Sequence, residues 1–148
     1  MLHPAPTTKI DPKLTRGVIR AVHEATATKP RSAVLSLHNS DYELHVAPPS
    51  SGWPEALAPG SKVIGRLRAS ARRVDICRTG GKYVDPVVGT PRRVQGKVIG
   101  AEGGVLMVDA GAVFALRLAA PGQKPEQFEL GSMITCEVLP GATFEVTG

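Results

Sequence analysis

An internal duplication constrains this chain more than any other feature. Residues 57–76, LAPGSKVIGRLRASARRVDI, and residues 128–146, FELGSMITCEVLPGATFEV, have one shape. Leu57 aligns with Phe128, Gly60-Ser61 with Gly131-Ser132, Val63 with Ile134 and Leu67 with Val138. With one residue dropped, Val74 aligns with Phe144 and Ile76 with Val146. The match reaches upstream, because Pro-Glu-x-apolar-x-x-Gly-Ser occurs at 54–61 and again at 125–132. Each copy reads as a glycine turn, a strand, a small-residue turn and a second strand. A repeated unit too small to bury its own apolar face folds against its neighbour, so two similar, mutually packed halves are expected.

The rest of each half supplies three more strands. LTRGVIRAV at 14–22 alternates and carries Gly17 at a bend. Residues 33–46 read as a hairpin with its turn at Asn39-Ser40-Asp41, in which Leu35, Leu37, Tyr42, Leu44 and Val46 face in. In the second half, Gly96 matches Gly17. A hairpin from 105 to 118 turns at Asp109-Ala110-Gly111, and Phe114 takes the place of Tyr42. Pro54 and Pro125 suit the first position of a brief helical turn before the fourth strand. No stretch carries a 3.6-residue apolar period over three turns. The pattern predicts an all-β protein of two tandem five-stranded OB-like β-barrels related by an internal repeat. Residues 1–13 form an N-terminal arm, 14–77 the first barrel, 78–93 a Gly/Pro/Arg connector and 94–148 the second barrel. Tyr83-Val84 and Val87-Val88 in the connector read as short extended pieces.

Charge separates the halves. Residues 62–97 hold ten Lys/Arg against two Asp, a net of +8, while residues 98–148 hold two basic and six acidic side chains, a net of −4. The fourth strand puts Val63, Gly65, Leu67 and Ala69 on its inner face and Lys62, Ile64, Arg66, Arg68 and Ser70 on the other. Arg72 and Arg73 follow on the turn. Arg78 and Lys82 extend the belt into the connector, and Arg92, Arg93 and Lys97 carry it to the second half. Same-face residues on a strand are roughly 6.5–7 Å apart, a spacing suited to a row of phosphates. The belt points to a polyanion, single-stranded nucleic acid or RNA. Trp53 and Tyr83 are the candidate stacking rings, since the other aromatics fall at core positions. The competing reading is a solvated face neutralised by the acidic half.

Catalytic and metal-binding constellations are not legible. There is no G-x-S-x-G, no P-loop and no cysteine pair at zinc spacing, and the carboxylates sit singly. His38 and His45 are placed across the first hairpin, near Glu43, as exposed polar residues. Cys77 and Cys136 read as thiols. No cofactor, metal or catalytic residue is assigned, and the chain is expected not to be an enzyme. No apolar run approaches the roughly 20 residues of a membrane span, and the first residues lack a signal-peptide core. A cytoplasmic location and no membrane partner are the expectations.

The phrase LAPGSKVIGRLRAS resembles the end of the molybdate-binding MOP domain and of the related TOBE domain of transport ATPases. Those units pair a leading G-x-V strand with L-x-x-G-x-x-V-x-A-x-K-A-S and occur in tandem. Here Gly17, Ile19, Leu57, Gly60, Val63, Gly65, Arg68, Ala69 and Ser70 carry the likeness, over part of each half. The departures are Lys13-Leu14-Thr15-Arg16 where the family leads into its first strand with Ser-Ala-Arg-Asn, Arg68 in place of lysine, and Leu139-Pro140-Gly141 in the second copy. The resemblance implies OB-like barrels and small-oxyanion binding. That stands beside nucleic-acid binding, as does a third alternative in which basic and acidic halves of different copies meet in a homo-oligomer.

Overall fold

The computed structural model describes residues 13–147 other than 39, 56 and 79. The expected N-terminal arm therefore lies outside the described residues except for Lys13. The described chain is all β, with eleven strands in one mixed sheet and a single 3-10 turn at Pro125–Gln127. The first half contributes β1 (Thr15–His23), β2 (Ser32–Leu37), β3 (Glu43–Val46) and β4 (Lys62–Ile76). The connector contributes β5 (Tyr83–Asp85) and β6 (Val88–Gly89). The second half contributes β7 (Arg93–Glu102), β8 (Val105–Asp109), β9 (Val113–Leu118), β10 (Met133–Val138) and β11 (Thr143–Val146).

The strand pairings close two circuits. In the first, β4 pairs β1, β1 pairs β2 and β2 pairs β3, all antiparallel. The parallel bridge Ala47↔Thr143 then joins the end of β3 to β11, which pairs back onto β4. In the second, β7 pairs β8, β8 pairs β9 and β9 runs parallel to β4 over Leu67–Ala71. β4 then pairs β10, which returns to β7. Thus β11, from the end of the chain, closes the circuit of the first half. The later part of β4 closes the circuit of the second.

This corrects the expectation of a turn inside 57–76. Residues 62–76 are one strand of 15 residues. The segment Ala69-Ser70-Ala71 contains no proline or glycine to bend it. Both halves of β4 also find partners on each side, β1 and β11 early, β9 and β10 late. In the second copy, Pro140 cannot donate to a ladder, and Gly141 takes φ +99° between β10 and β11, so that strand does break. The expected pairing of Val74 with Phe144 shifts as well. Val74 lies opposite Cys136 and Val146 opposite Gly65, so Val74 and Val146 hold corresponding positions.

Bulges recur at matching places. Arg20 is extra in β1 between Ile19 and Ala21, and Ile99 is extra in β7 between Val98 and Gly100. The duplicated octet also makes the same bonds twice. Gly60 N–H donates to the Ile19 carbonyl at 2.7 Å, and Gly131 N–H to that of Val98 at 2.9 Å. Ile19 and Val98 in turn donate to Ser61 and Ser132 at 2.9 and 2.8 Å. Both glycines have left-handed φ, +91° and +87°, which a residue with a Cβ adopts only under strain. The helical turn expected at Pro54 is reduced to one bond, Leu57 N–H to the Pro54 carbonyl at 3.0 Å, matching Phe128 to Pro125 at 3.2 Å.

One cluster of buried apolar side chains runs through both halves, from Ile19, Leu35, Leu44 and Leu67 to Phe114, Leu116, Ile134 and Phe144, each at 0% exposure. Thr15 ties the halves together. Its buried hydroxyl donates to the Val113 carbonyl at 3.1 Å and accepts from Val113 N–H at 3.2 Å.

Candidate polyanion interface

The alternation of β4 places its side chains as expected. Val63, Gly65, Leu67, Ala69 and Ala71 are buried, while Lys62 and Arg68 are exposed and Ile64, Arg66 and Ser70 half-buried. Arg72 and Arg73 are not on a turn. They form a bulge within β4, because Cys136 faces Val74 and Val138 faces Ala71 on the partner strand. Two consecutive residues at a bulge both reach solvent, and both arginines are exposed.

The bulge draws part of the belt together. Arg72, Arg92 and Arg93 line a cleft of about 460 Å³ with Asp85, Glu137 and Pro140. Arg72, Arg73 and Arg93 line a smaller recess of about 170 Å³ over Thr135 and Cys136. Elsewhere the belt is spread out. Lys62 lies on the opposite end of β4, beside β1. Arg68 lines a recess with Ser70 and Arg117. Arg78 is exposed beyond the end of β4.

Four of the cations are already paired within the molecule. Arg68 meets Glu145 at 3.6 Å, Arg73 meets Asp75 at 3.2 Å, Lys82 meets Asp109 at 2.7 Å and Arg93 meets Glu137 at 3.4 Å. Three of these four acids come from the second half. Such pairs hold side chains in place more than they add stability, since exposed pairs contribute about 0.2–1 kcal/mol. Among the described residues, Lys62, Arg66, Arg72, Arg78 and Arg92 have no carboxylate within ion-pairing reach. Asp109 feels burial, which raises its pKa, but the Lys82 ammonium, the Gly111 N–H and Lys97 outweigh it and hold the carboxyl below its ordinary value.

The two rings fare differently. Tyr83 is half-buried on β5, on the same face as Asp85 two residues on; Asp85 lines the arginine cleft, and Tyr83 is not among its lining residues. The stacking role expected of Trp53 is overturned. The residue is 8% exposed, its indole N–H donates to the Phe144 carbonyl at 2.6 Å, and Arg31 sits 5.5 Å above the ring. Trp53 is a latch that holds β11 in the first circuit, and it has no open face on which a base could stack. A tryptophan next to a proline in a loop gives no hint of this, because its partner lies 91 residues away.

Other expectations resolve simply. His38 and His45 are not opposite each other, since His45 faces Val34 and Glu43 faces Ser36. Among the described residues no group of three or more His, Cys, Asp or Glu could hold a metal ion. Cys136 is buried, which pushes its thiol up to about 12, and it is not bridged to Cys77. No helix of the described residues is long and apolar enough to cross a membrane. Arg16, Arg20 and Arg117 were missed as surface cations. The signal for the first two was available, since they flank the inward Gly17 and Ile19 in the alternation of β1.

Comparison with family models, with curated proteins and with solved structures found no match.

Proposed function

We propose that this chain is a non-enzymatic polyanion-binding protein and that its ligand is single-stranded nucleic acid. In this reading the halves 14–77 and 94–148 are OB-like barrels that have exchanged their last strands, and the connector lies between them. Support for the barrels comes from the two closed five-strand circuits and from the shared octet before the fourth strand. One observation carries the function. Arg66 and Arg72 project from the outer side of β4 with no carboxylate partner among the described residues, and Arg92 stands beside Arg72 in the adjoining cleft. Phosphate contacts then dominate over stacking, for which Tyr83 is the remaining candidate ring.

Fluorescence anisotropy with short single-stranded DNA and RNA tests this, using the full chain and an Arg72→Ala/Arg92→Ala variant. Affinity should fall steeply between about 50 and 200 mM salt, and losing two phosphate contacts should flatten the log–log salt slope by about 1.4. Salt-independent affinity, or an unchanged slope in the variant, overturns the reading. Salt-sensitive self-association without nucleic acid would instead favour the homo-oligomer.

A further inference from the structure

We infer that the groove between β1, β2 and the start of β4 is a separate site for a small phosphate monoester of about nucleotide size. The groove encloses about 610 Å³ and is lined by Arg16, Val18, Arg20, Ser36, Lys62 and Ile64, with His38 and Ser40 at its rim. Clefts of about 300–1,000 Å³ suit small ligands that bury most of their surface.

Three features set this groove apart. Among the described residues its charge is uncompensated: no carboxylate lines it, and none of Arg16, Arg20 and Lys62 forms an ion pair. The other arginine-bearing clefts carry their own acids: Glu24 in one, Asp75 and Glu137 in the second, Asp85 and Glu137 in the third. In the fourth, Arg68 is taken by Glu145 and Arg117 stands alone, with no second unpaired cation beside it.

Two of its cations also converge. Val18 lies between Ser36 on one side and Lys62 on the other, and Arg16 lies opposite Ile64. Lys62 is therefore diagonal to Arg16, and such neighbours stand about 7–8 Å apart, close enough for both long side chains to reach one phosphate. Arg20 is turned by the β1 bulge at the other end of the groove. Finally, the floor is apolar. Val18 and Ile64 are half-buried and lie between the cations, offering a hydrocarbon surface to the body of the ester, while the Ser36 hydroxyl adds a polar contact. A bare inorganic anion would leave that floor unused.

Isothermal titration of the full chain with adenosine 5′-monophosphate, adenosine and inorganic phosphate tests the assignment. The nucleotide should saturate one site, bind more tightly than inorganic phosphate and outcompete the nucleoside, which lacks the charge. Arg16→Ala/Arg20→Ala replaces two exposed side chains outside the core, and circular dichroism should show its fold intact. It should weaken nucleotide binding about tenfold, the loss of the one charge-assisted contact from Arg16 to the phosphate. Arg72→Ala/Arg92→Ala should leave nucleotide binding unchanged while it alters the salt slope for single strands, so this site and the β4 interface stand or fall separately. No saturable heat in the millimolar range, equal binding of the nucleoside, or full binding by the Arg16/Arg20 variant overturns the site. A loss in the Arg72/Arg92 variant equal to that in the Arg16/Arg20 variant does so too.

Discussion

Residues 62–76 and 133–146 share an apolar pattern and end in different shapes. The first is one strand, bulged at Arg72-Arg73, that serves both circuits. The second is two strands, β10 and β11, parted by Leu139-Pro140-Gly141-Ala142 and serving one circuit each. The same inward residues are thus reached by a bulge in one case and a turn in the other. A period-2 pattern fixes which side chains face the core. It does not fix whether the chain runs on or folds back, because that depends on which partner strands flank it.

The contrast breaks most visibly at the strand that closes the first circuit. Phe144 is fully buried and lies opposite Leu67 of β4. Phe144→Ala should cost about 3–5 kcal/mol, read as a drop in denaturation midpoint. Hydrogen exchange should rise first in β3 and the early part of β4, the partners of β11. If β10 and β7 opened first, β11 would not be the closing strand of that circuit.

Two glycines separate the copies more finely. A Cβ on Gly65 would meet the Glu145 carbonyl oxygen at 2.1 Å and the Phe144 ring at 2.8 Å, so β4 and β11 approach as they do because Gly65 has no side chain. Gly141 has open space but a φ of +99°. Gly65→Ala should destabilise by about 1–3 kcal/mol through overpacking, and Gly141→Ala by about 1–2 kcal/mol through backbone strain alone. Only the first should also weaken protection of Thr147, whose N–H donates to the Ile64 carbonyl at 2.8 Å beside it.

The smallest effect lies at the second hairpin turn. There Asp109 accepts from Gly111 N–H at 3.0 Å and from Lys82, and its folded pKa lies below the ordinary 3.8. Its stabilising contribution is complete above that value and is lost as pH falls through it towards the folded value. Asp109→Asn should give a flatter acid limb in a stability-versus-pH curve. An unchanged acid limb in the variant would remove Asp109 from that role.

Much of the fold was legible because β structure writes a two-residue alternation into the chain. Leu35, Leu44, Leu67, Phe114 and Phe144 could all be assigned inward, and the octet with its glycine marked the approach to the fourth strand in each half. The charge imbalance of the halves was equally plain. Less could be read of the belt, since an arginine in a sequence does not reveal its acid. Arg68 lies far along the chain from Glu145, and Arg93 is 44 positions from Glu137, so only folding brings these pairs together.

The order of residues alone therefore settles the set of faces, the turns that require glycine, and the sign of each half. Folding in three dimensions settles the rest: that β4 runs as one strand, that β11 crosses to the first circuit under the Trp53 latch, and that Arg16, Arg20 and Lys62 share one groove that no carboxylate of the described residues lines. The cause is that backbone partners and counter-ions are non-local. A strand continues where both its edges are satisfied, and a cation stays available where no carboxylate folds against it.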